Sequence, residues 1–375
     1  MRIMHLADLH IGKRVNGFNM IEDQKFALDN ILKLVEKQEV DVVMVAGDVY
    51  DLTVPSSEAI GLFDYFITSL SKMSVKVLLI AGNHDSSERL SFAKTLIKDS
   101  GIYVSRTFDN VVEKITLEDE YGPLNFYLLP FIKPIMVKRY YPELKIDDFQ
   151  SAISNVINGI DLNVNERNII LSHQFIVGAT TSESEELYLG GLESISVDIY
   201  KDFDYVALGH LHKRQSFRDG MVRYPGSLLK YSQSESDYIK KITILDFKSK
   251  GIVDIQEADI EYLRDMRNIK DFFHNIISKS TLDNHKDDYI HITLYDEDEI
   301  LDAISRLREI YPNIMSIRYE NKKTEKEEKI NANTSRTKSP YDLFNEFYEY
   351  RNNVALDERK SEIIKKLIDD VWANE

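Results

Sequence analysis

Short apolar runs alternate with amphipathic segments along the first 250 residues of the chain. Each run is rich in β-branched residues and ends in Gly, Asp, Asn or His, which is typical of buried strands in an α/β sheet. The runs are RIMHLADLH, VDVVMVAGDVYD, VKVLLIAGNHD, NIILSHQF, DYVALGHLH, VRYPGS and KKITILDF. The alternation predicts an α/β domain over residues 1–250.

Between these runs, apolar residues recur at the three- and four-residue spacing of an α-helix. Helices are expected in IEDQKFALDNILKLVEKQ, SSEAIGLFDYFITSLSK and SSERLSFAKTLIKDSG. The second and third open with Ser and Glu, which favour a helix N-terminus. Residues 121–163 are less regular and predict a hairpin and a peripheral helix, while Val177 to Gly191 reads as a long mobile loop.

The pattern changes near residue 254. A helix, a strand, a second helix and a second strand predict a small separate domain over residues 254–320. Residues 321–340 are polar and charged, as a linker is. Residues 341–375 regain helical periodicity, and an apolar stripe beyond a linker either folds back or docks a partner.

The charge balance of the chain is acidic. With 47 basic and 63 acidic residues, the net charge is −16. Tight, unaided nucleic-acid binding depends on Lys and Arg, so this composition disfavours it, although bound cations or a basic partner can offset the charge locally.

Two absences narrow the class of protein further. The chain has no cysteine, which excludes disulfides, thiolate zinc sites and cysteine nucleophiles. No apolar run approaches a signal peptide or the roughly 20 residues of a membrane span. We expect a soluble intracellular protein of the cytoplasm.

Side chains that bind metals follow five of the predicted strands. They are Asp8, His10, Asp48, Asn83, His84, His173, His210 and His212. Sites in α/β proteins form at the carboxyl ends of strands, so these groups are expected to converge. Carboxylates, an amide and imidazoles without thiolate suit Mn²⁺, Fe²⁺ or Zn²⁺ better than Mg²⁺ or Ca²⁺. Their number fits two ions about 3.5–4 Å apart that share a carboxylate.

The spacing of these residues adds two expectations. Residues two apart in an extended chain point the same way, so both residues in each of the pairs Asp8/His10 and His210/His212 should face the site, with Leu211 packed into the core. Asn83 and His84 are adjacent, so one should bind metal and the other should do something else, such as donate a proton.

The motifs DLH, GDVYD, GNHD, SHQ and GHLH, in this order, resemble those of the calcineurin-like metallophosphoesterases. The longer segments HLADLHIGK, AGDVYDLTVPSSEA, AGNHDSSERL, LGHLHKRQ and YPGSLLKYSQSE resemble the DNA-repair nuclease subunits that pair with an SMC-like ATPase. This resemblance extends over essentially the whole chain. It implies a four-layer α/β/β/α sandwich, a small α+β capping domain and a C-terminal helical segment that docks the partner.

The resemblance also implies roles for individual residues. One ion is expected on Asp8, His10, Asp48 and His212, and the other on Asp48, Asn83, His173 and His210. Asp48 then bridges two divalent ions, with Mn²⁺ the expected metal, and His84 is the general acid.

A Mn-dependent DNA nuclease of the repair, recombination and replication machinery is the function implied. It would act as a 3′→5′ exonuclease on duplexes and as an endonuclease on single strands and hairpins. Two copies of the chain are expected to form a homodimer through helices near residues 56–70 and 88–97, within a heterotetramer.

Several residues keep other interpretations. Relatives in other kingdoms carry a histidine at the position of Asp51, so no catalytic role is assigned to it. His5, His274, His285 and His291 are expected to be structural or on the surface, and Asp85 to orient a neighbour or cap a helix. For Lys13, Arg14, Lys213 and Arg214, phosphate binding and plain surface positions remain equally open.

Two other functions also remain open. The first is a phosphoesterase that acts on phosphoproteins or small phosphate esters, because the metal motifs alone do not separate it from a nuclease. The second is a scaffold with a degenerate metal site, which the complete set of ligand residues disfavours.

Overall fold

The computed structural model describes residues 1–185 and 193–320, and residues 341, 344–345, 348, 360–365 and 367 beyond them. Its strands are β1 (Arg2–Leu6), β2 (Arg14–Val15), β3 (Phe18–Asn19), β4 (Val42–Ala46), β5 (Lys76–Ile80), β6 (Ile102–Val104), β7 (Glu113–Asp119), β8 (Gly122–Leu129), β9 (Arg167–His173), β10 (Phe175–Ile176), β11 (Ser194–Ile195), β12 (Tyr205–Gly209), β13 (Gln215–Phe217), β14 (Val222–Tyr224), β15 (Lys241–Phe247), β16 (Val253–Asp259), β17 (Met266–Asp271), β18 (Tyr289–Leu294) and β19 (Ile314–Tyr319). Its α-helices are α1 (Ile21–Lys37), α2 (Ser57–Lys72), α3 (Ser87–Leu90), α4 (Lys94–Ile97), α5 (Pro134–Lys138), α6 (Phe149–Asn158), α7 (Phe273–Lys279) and α8 (Ala303–Arg308).

Two six-stranded sheets form the body of the first 268 residues. The first has the order β16-β15-β1-β4-β5-β6, and the second has the order β13-β14-β12-β9-β8-β7. In each sheet the central strands run parallel, and antiparallel pairs lie at the edges. The parallel strands are almost wholly buried, because apolar layers cover both of their faces.

The sheets pack face to face. Alternate residues of each strand point to opposite faces, so Val42 and Met44 of β4 meet Ile169 and Leu171 of β9 in one apolar core. The other face of the second sheet, including Ile170, packs against α6. On the far side of the first sheet, α2 packs against β5 and α1 packs against α2. This is the expected four-layer α/β/β/α sandwich.

The chain divides into two compact units. The first comprises Met1–Asn268 and His285–His291, because β16 extends the first sheet beyond residue 250. The second comprises Ile269–Asn284 and residues from Ile292 onward. It contains α7, α8 and β19, and the strand order of the small sheet is β17-β18-β19.

Two sequence expectations fall wholly or partly outside the described residues. The linker at 321–340 lies outside them, and so do most residues of 341–375. The described residues of that last segment are helical, and Ile363 and Leu367 are exposed. Of the loop from Val177 to Gly191, residues 177–185 are described and form neither helix nor strand.

The single helix expected from Ser86 to Gly101 is wrong. Two one-turn helices, α3 and α4, stand there instead, separated by Ala93 at a positive φ of 58°. A left-handed residue breaks the α-helical hydrogen-bond ladder, so the two turns cannot join. The hairpin and peripheral helix expected around residues 121–163 are present as β7–β8 and α6.

No helix among the described residues has both the length and the apolar character that a membrane span requires.

Candidate metal centre

The polar residues predicted from the strand ends lie in one cluster between the two sheets. Atoms that can bind a metal lie within 4.8 Å of one another in three overlapping groups, namely Asp8/His10/His212, His10/Asp48/His84 and Asp8/Asp48/His173. Asn83 and His210 join them through the contacts described below. The carboxyl ends of β1, β4, β5, β9 and β12 therefore meet at this point, as open α/β sheets predict.

One half of the cluster surrounds Asn83. Its side-chain Oδ1 lies 3.0 Å from His173 Nε2 and 3.0 Å from His210 Nδ1. His173 Nε2 is also 3.3 Å from Asp48 Oδ2. An amide oxygen, a carboxylate oxygen and two imidazole nitrogens thus converge on one small volume.

The other half surrounds His10. Its Nε2 atom lies 3.0 Å from His212 Nε2 and 3.6 Å from Asp48 Oδ2. Asp48 is therefore in contact with both halves, while His210 and His212 belong to different ones.

The two imidazoles of this second half face each other in a way that suits a cation. His212 Nδ1 is 2.6 Å from Ser184 Oγ, and His10 Nδ1 is 3.4 Å from the carboxylate of Asp51. When each Nδ1 carries the proton toward its oxygen, both Nε2 lone pairs point at each other. A cation between them resolves that repulsion, so the residues present fit a divalent metal.

Burial sets the protonation of the cluster. It lowers the pKa of His10 and of His210 to about 3, so both rings are neutral and able to bind metal. Burial also lowers the pKa of His173, but the charge of Asp48 outweighs it and raises that pKa to about 9. The same partnership holds the pKa of Asp48 well below its ordinary value, although burial acts to raise it.

The backbone at the site is unusual. Asp8, His10, Asp48 and His210 all have positive φ values, of 52°, 44°, 50° and 104°. The extended conformation expected for Asp8–His10 and His210–His212 is therefore wrong, because the chain turns sharply after β1 and β12. Leu211 is buried in the core as expected. Such conformations cost of order 1–3 kcal/mol each and concentrate at functional sites.

Hydrogen bonds between loops hold these turns in place. The backbone N–H of Asp8 donates to Gly47 O at 3.1 Å, and that of His10 donates to Asp48 O at 3.0 Å. The N–H of His210 donates to Asp8 Oδ1 at 2.9 Å. The loops after β1, β4 and β12 are thereby tied to one another.

His84 lies at the edge of the cluster and is half-buried. Its Nδ1 is 2.9 Å from the backbone oxygen of Asp51, and its ring is 4.8 Å from that of His10. Its backbone N–H donates to Asp48 Oδ1 at 2.9 Å. The ring is thus fixed beside the cluster by a carbonyl, an acceptor that can hold either the neutral or the charged imidazole.

Asp51, to which the sequence assigns no role, supports two of these residues. Its backbone oxygen holds His84, and its carboxylate lies beside His10 and accepts from Lys13 Nζ at 2.6 Å. Burial raises the pKa of Asp51, but the bonds from His10 and Lys13 outweigh it and lower the pKa to about 2. This ion pair makes Lys13 part of the site's support.

Asp85 orients its neighbours. Its carboxylate accepts the backbone N–H groups of Val49, Tyr50 and Gly82 at 2.9–3.1 Å, which fixes the loop after β4. The N-cap of α3 is Ser86, so Asp85 does not cap a helix.

The other residues left open have local partners. Arg14 donates to Gly17 O, Lys213 lies over the ring of Tyr238, and Arg214 pairs with Glu257. Among the other histidines, His5 and His291 are buried, and His274 and His285 are exposed. His5 Nδ1 lies 3.0 Å from Tyr205 OH.

Sequence reasoning missed a set of buried polar residues behind the cluster. Gln24 Nε2 donates to His10 O at 2.7 Å, and Tyr231 OH donates to Leu9 O at 2.6 Å. Glu235 and Lys240 form a buried ion pair next to His212. The segment YPGSLLKYSQSE contains Tyr231 and Glu235, so that stretch carried a signal, whereas Gln24 looks like any polar helix residue.

Two family models match the chain. The calcineurin-like phosphoesterase model matches residues 1–214, and a model described as the type 5 capsule protein repressor C-terminal domain matches residues 262–352. The fold and the cluster therefore define a calcineurin-like phosphoesterase, a hydrolase that binds divalent metal.

A full-length relative narrows the family. The chain is 31% identical over 372 residues to SbcD, the smaller component of the SbcCD nuclease, of Staphylococcus epidermidis, and the match covers 98% of each chain. The chain belongs to this SbcD family of nucleases.

Two solved structures are also similar. One, from Thermus thermophilus, has 15% identity and a TM-score of 0.39, and the match covers 69% of this chain and 99% of that one. The other, a dimetal phosphatase from Danio rerio, has 11% identity and a TM-score of 0.40, with 70% and 99% covered.

Proposed function

We propose that the cluster holds two divalent ions bridged by Asp48 and that the chain hydrolyses DNA phosphodiesters there. The ligands of the first ion are Asp8, His10, Asp48 and His212, and those of the second are Asp48, Asn83, His173 and His210. The observation that carries this assignment is the contact of Asp48 Oδ2 with His173 Nε2 on one side and with His10 Nε2 on the other, at 3.3 and 3.6 Å.

The bound ions supply activation of water and neutralisation of the phosphate charge. The protein's own residues do the rest. His84 protonates the departing sugar oxygen, since its ring lies at the edge of the cluster, held by the carbonyl of Asp51. Burial keeps His10 and His210 neutral, so their nitrogens do not have to lose a proton before they bind.

We propose Mn²⁺ as the metal of both sites. The donors are mixed carboxylate, amide and imidazole groups without thiolate. This set suits a borderline first-row ion better than Mg²⁺, which prefers oxygen ligands.

DNA is the substrate that we propose. The full-length match to an SbcCD component and the second family model argue against a minimal phosphatase, which needs neither the second unit nor the C-terminal helices. By family resemblance, the activities are 3′→5′ exonuclease action on duplexes and endonuclease action on single strands and hairpins.

The partner in this proposal is an SbcC-type SMC-like ATPase, and the place of action is the cytoplasm. A net charge of −16 leaves this chain with little phosphate affinity, so the partner supplies much of the grip on DNA. Residues 254–320 form the capping domain that orients the DNA strand, and residues 341–375 dock the partner through apolar residues such as Ile363 and Leu367, which are 52% and 53% exposed.

We further propose that two copies of this chain pair through residues 56–70 and 88–97. These segments line one apolar cavity of about 630 Å³, and they expose Ile60, Phe92 and Leu96 by 48%, 81% and 77%. Large exposed apolar side chains beside an apolar cavity are typical of an interface. The self-complementary occupant is the same face of a second copy.

The test is an assay with end-labelled duplex and hairpin DNA in the presence of Mn²⁺, Mg²⁺ or EDTA, with and without the ATPase and ATP. We expect Mn²⁺-dependent cleavage that is weak alone and stronger with the partner. Hydrolysis of a phosphoprotein or a cyclic nucleotide with DNA left intact would show that the chain is a different phosphoesterase.

A further inference from the structure

A buried polar chain lies directly behind His212, on the side away from the other metal-binding groups. His212 Nδ1 is 2.6 Å from Ser184 Oγ, and Ser184 Oγ is 2.5 Å from Glu235 Oε1. Glu235 is fully buried, at 0% exposure. A hydroxyl thus stands between an imidazole and a carboxylate.

The carboxylate at the end of this chain is ionised, because it is paired. Lys240 Nζ lies 2.5 Å from Glu235 Oε2 and is itself 2% exposed. The same ammonium group donates to His212 O at 2.8 Å and to Ser227 Oγ at 2.7 Å. A buried charge pair has a large desolvation cost, so its position against a single histidine calls for a role beyond packing.

The hydrogen bonds can run in only one direction. An ionised carboxylate accepts and never donates, so Ser184 must give its only proton to Glu235. The Ser184 oxygen then accepts from His212, which places the imidazole proton on Nδ1. The lone pair of His212 is therefore on Nε2, which faces His10 Nε2 at 3.0 Å.

We propose that Ser184 and Glu235 are positioning residues that set the tautomer and orientation of His212 for metal binding. Lys240 keeps the carboxylate charged, and Glu185 Oε1 accepts the backbone N–H of His212 at 2.7 Å, so the loop holds both ends of that residue. The inference rests on the proposed metal site. It predicts that the relay acts on the ion of the His10/His212 half and spares the ion of the Asn83 half.

The test compares Mn²⁺ binding by isothermal titration calorimetry in three variants of the full chain. Ser184→Ala removes the hydroxyl, Ser184→Thr keeps it, and Ser182→Ala removes a neighbouring hydroxyl that has no hydrogen-bond partner among the described residues. Loss of a supporting group behind a metal-binding histidine typically weakens metal binding about 10- to 100-fold. We expect that loss for one of two ions in Ser184→Ala, with wild-type binding in the other two variants and an unchanged melting temperature in all three.

A second variant guards against a local defect in the loop. The double change Glu235→Gln with Lys240→Met removes both buried charges together, so that neither is left unpaired. It should weaken the same single ion and leave the other bound with wild-type affinity.

The outcomes separate this inference from the proposed function. Wild-type binding of both ions by Ser184→Ala, or equal weakening of both, overturns the relay while leaving the metal site in place. The reference is Asp48→Ala, which should abolish binding of both ions. If the unmodified chain binds no Mn²⁺, the proposed function itself fails and the relay fails with it.

Discussion

His84 is the residue whose substitution best separates chemistry from metal binding. Its ring is held by the carbonyl of Asp51, outside the two groups of proposed ligands. We predict that His84→Gln lowers the cleavage rate by about 100- to 10,000-fold, the usual contribution of a general acid. Single-turnover cleavage of labelled DNA measures the rate, and calorimetry measures Mn²⁺ stoichiometry in the same preparation.

Two ions should remain bound in that variant, and His173→Gln is the matched control that should lose metal. If His84→Gln also lost an ion, His84 would be a ligand and its assignment as the acid would be wrong.

Asp119 provides a pH-dependent test far along the fold from the cluster. Its carboxylate accepts from both terminal nitrogens of Arg167, at 2.6 and 3.1 Å. Burial acts to raise the pKa of Asp119, but the hydrogen bonds from Arg167 outweigh it and lower the pKa from 3.8 to about 2. The charged form is therefore favoured by folding, and the wild-type chain has extra stability above about pH 4.

We predict that Asp119→Asn costs about 2 kcal/mol of unfolding free energy at pH 7, as the loss of charged hydrogen bonds does. The difference between the two proteins should shrink as the pH falls from 4 to 2, because the wild-type carboxyl is then protonated in both states. Urea unfolding across this range measures it. A constant difference down to pH 2 would mean that the charge of Asp119 does not stabilise the fold.

At the scale of the elements, the close approach of strand ends decides whether the site can form. A Cβ atom at Gly209, the last residue of β12, would lie 1.9 Å from Ala46 O and 2.7 Å from His173 Nδ1. The ends of β4, β9 and β12 therefore meet only because this position has no side chain.

We predict that Gly209→Ala destabilises the chain by about 1–3 kcal/mol, the usual cost of overpacking, and weakens Mn²⁺ binding. The matched control is Gly61→Ala in α2, where a Cβ meets nothing within 4 Å. That change should stabilise the helix by about 0.5–1 kcal/mol. Denaturant unfolding measures both, and a neutral Gly209→Ala would show that the strand ends can separate freely.

The helices show how far periodicity reaches. Helices α1 and α2 were predicted because their apolar stripes bury against other elements. The same pattern at residues 86–101 predicted a third helix, yet α3 and α4 contain no buried residue. Without a face to bury, a helical pattern gains little from tertiary packing and the chain follows local turn geometry instead.

For the whole molecule, the acidic charge and the C-terminal segment predict dependence on a partner. Deletion of residues 341–375 should abolish binding of the ATPase and keep Mn²⁺-dependent cleavage of short substrates, because the proposed ligands all lie within residues 8–212. Co-purification and the cleavage assay measure the two effects. The double change Ile363→Asp with Leu367→Asp should have the same effect as the deletion, and full partner binding by either variant would contradict the docking proposal.

The proposed pairing of two copies gives a last prediction at this scale. Phe92→Asp with Leu96→Asp puts two charges into an apolar interface, so we expect the double variant to sediment as a monomer where the unmodified chain sediments as a dimer. Leu282→Asp, at a residue 85% exposed in the second unit, is the control that should stay dimeric. A monomeric unmodified chain at micromolar concentration would refute the pairing.

The sequence alone determined the class of fold and the identity of the metal-binding side chains. Strands such as VVMVA and NIILSH are recognisable because burial on both faces demands continuous apolar residues, and polar residues at their ends stand out against that background. Asp48 and His173 could be singled out in this way from their own short stretches of chain.

Only the tertiary structure decided how those side chains meet and what supports them. The positive φ of Asp8 and His10 depends on bonds to the loop after β4, which lies more than 30 residues away. The relay from Glu235 through Ser184 to His212 joins three distant stretches of chain, and its residues look like ordinary surface polar residues until the fold buries them. Strand and helix periodicity is a local property that neighbouring residues encode, whereas hydrogen-bond partners and buried charge pairs are set by which segments the packing of the sheets brings together.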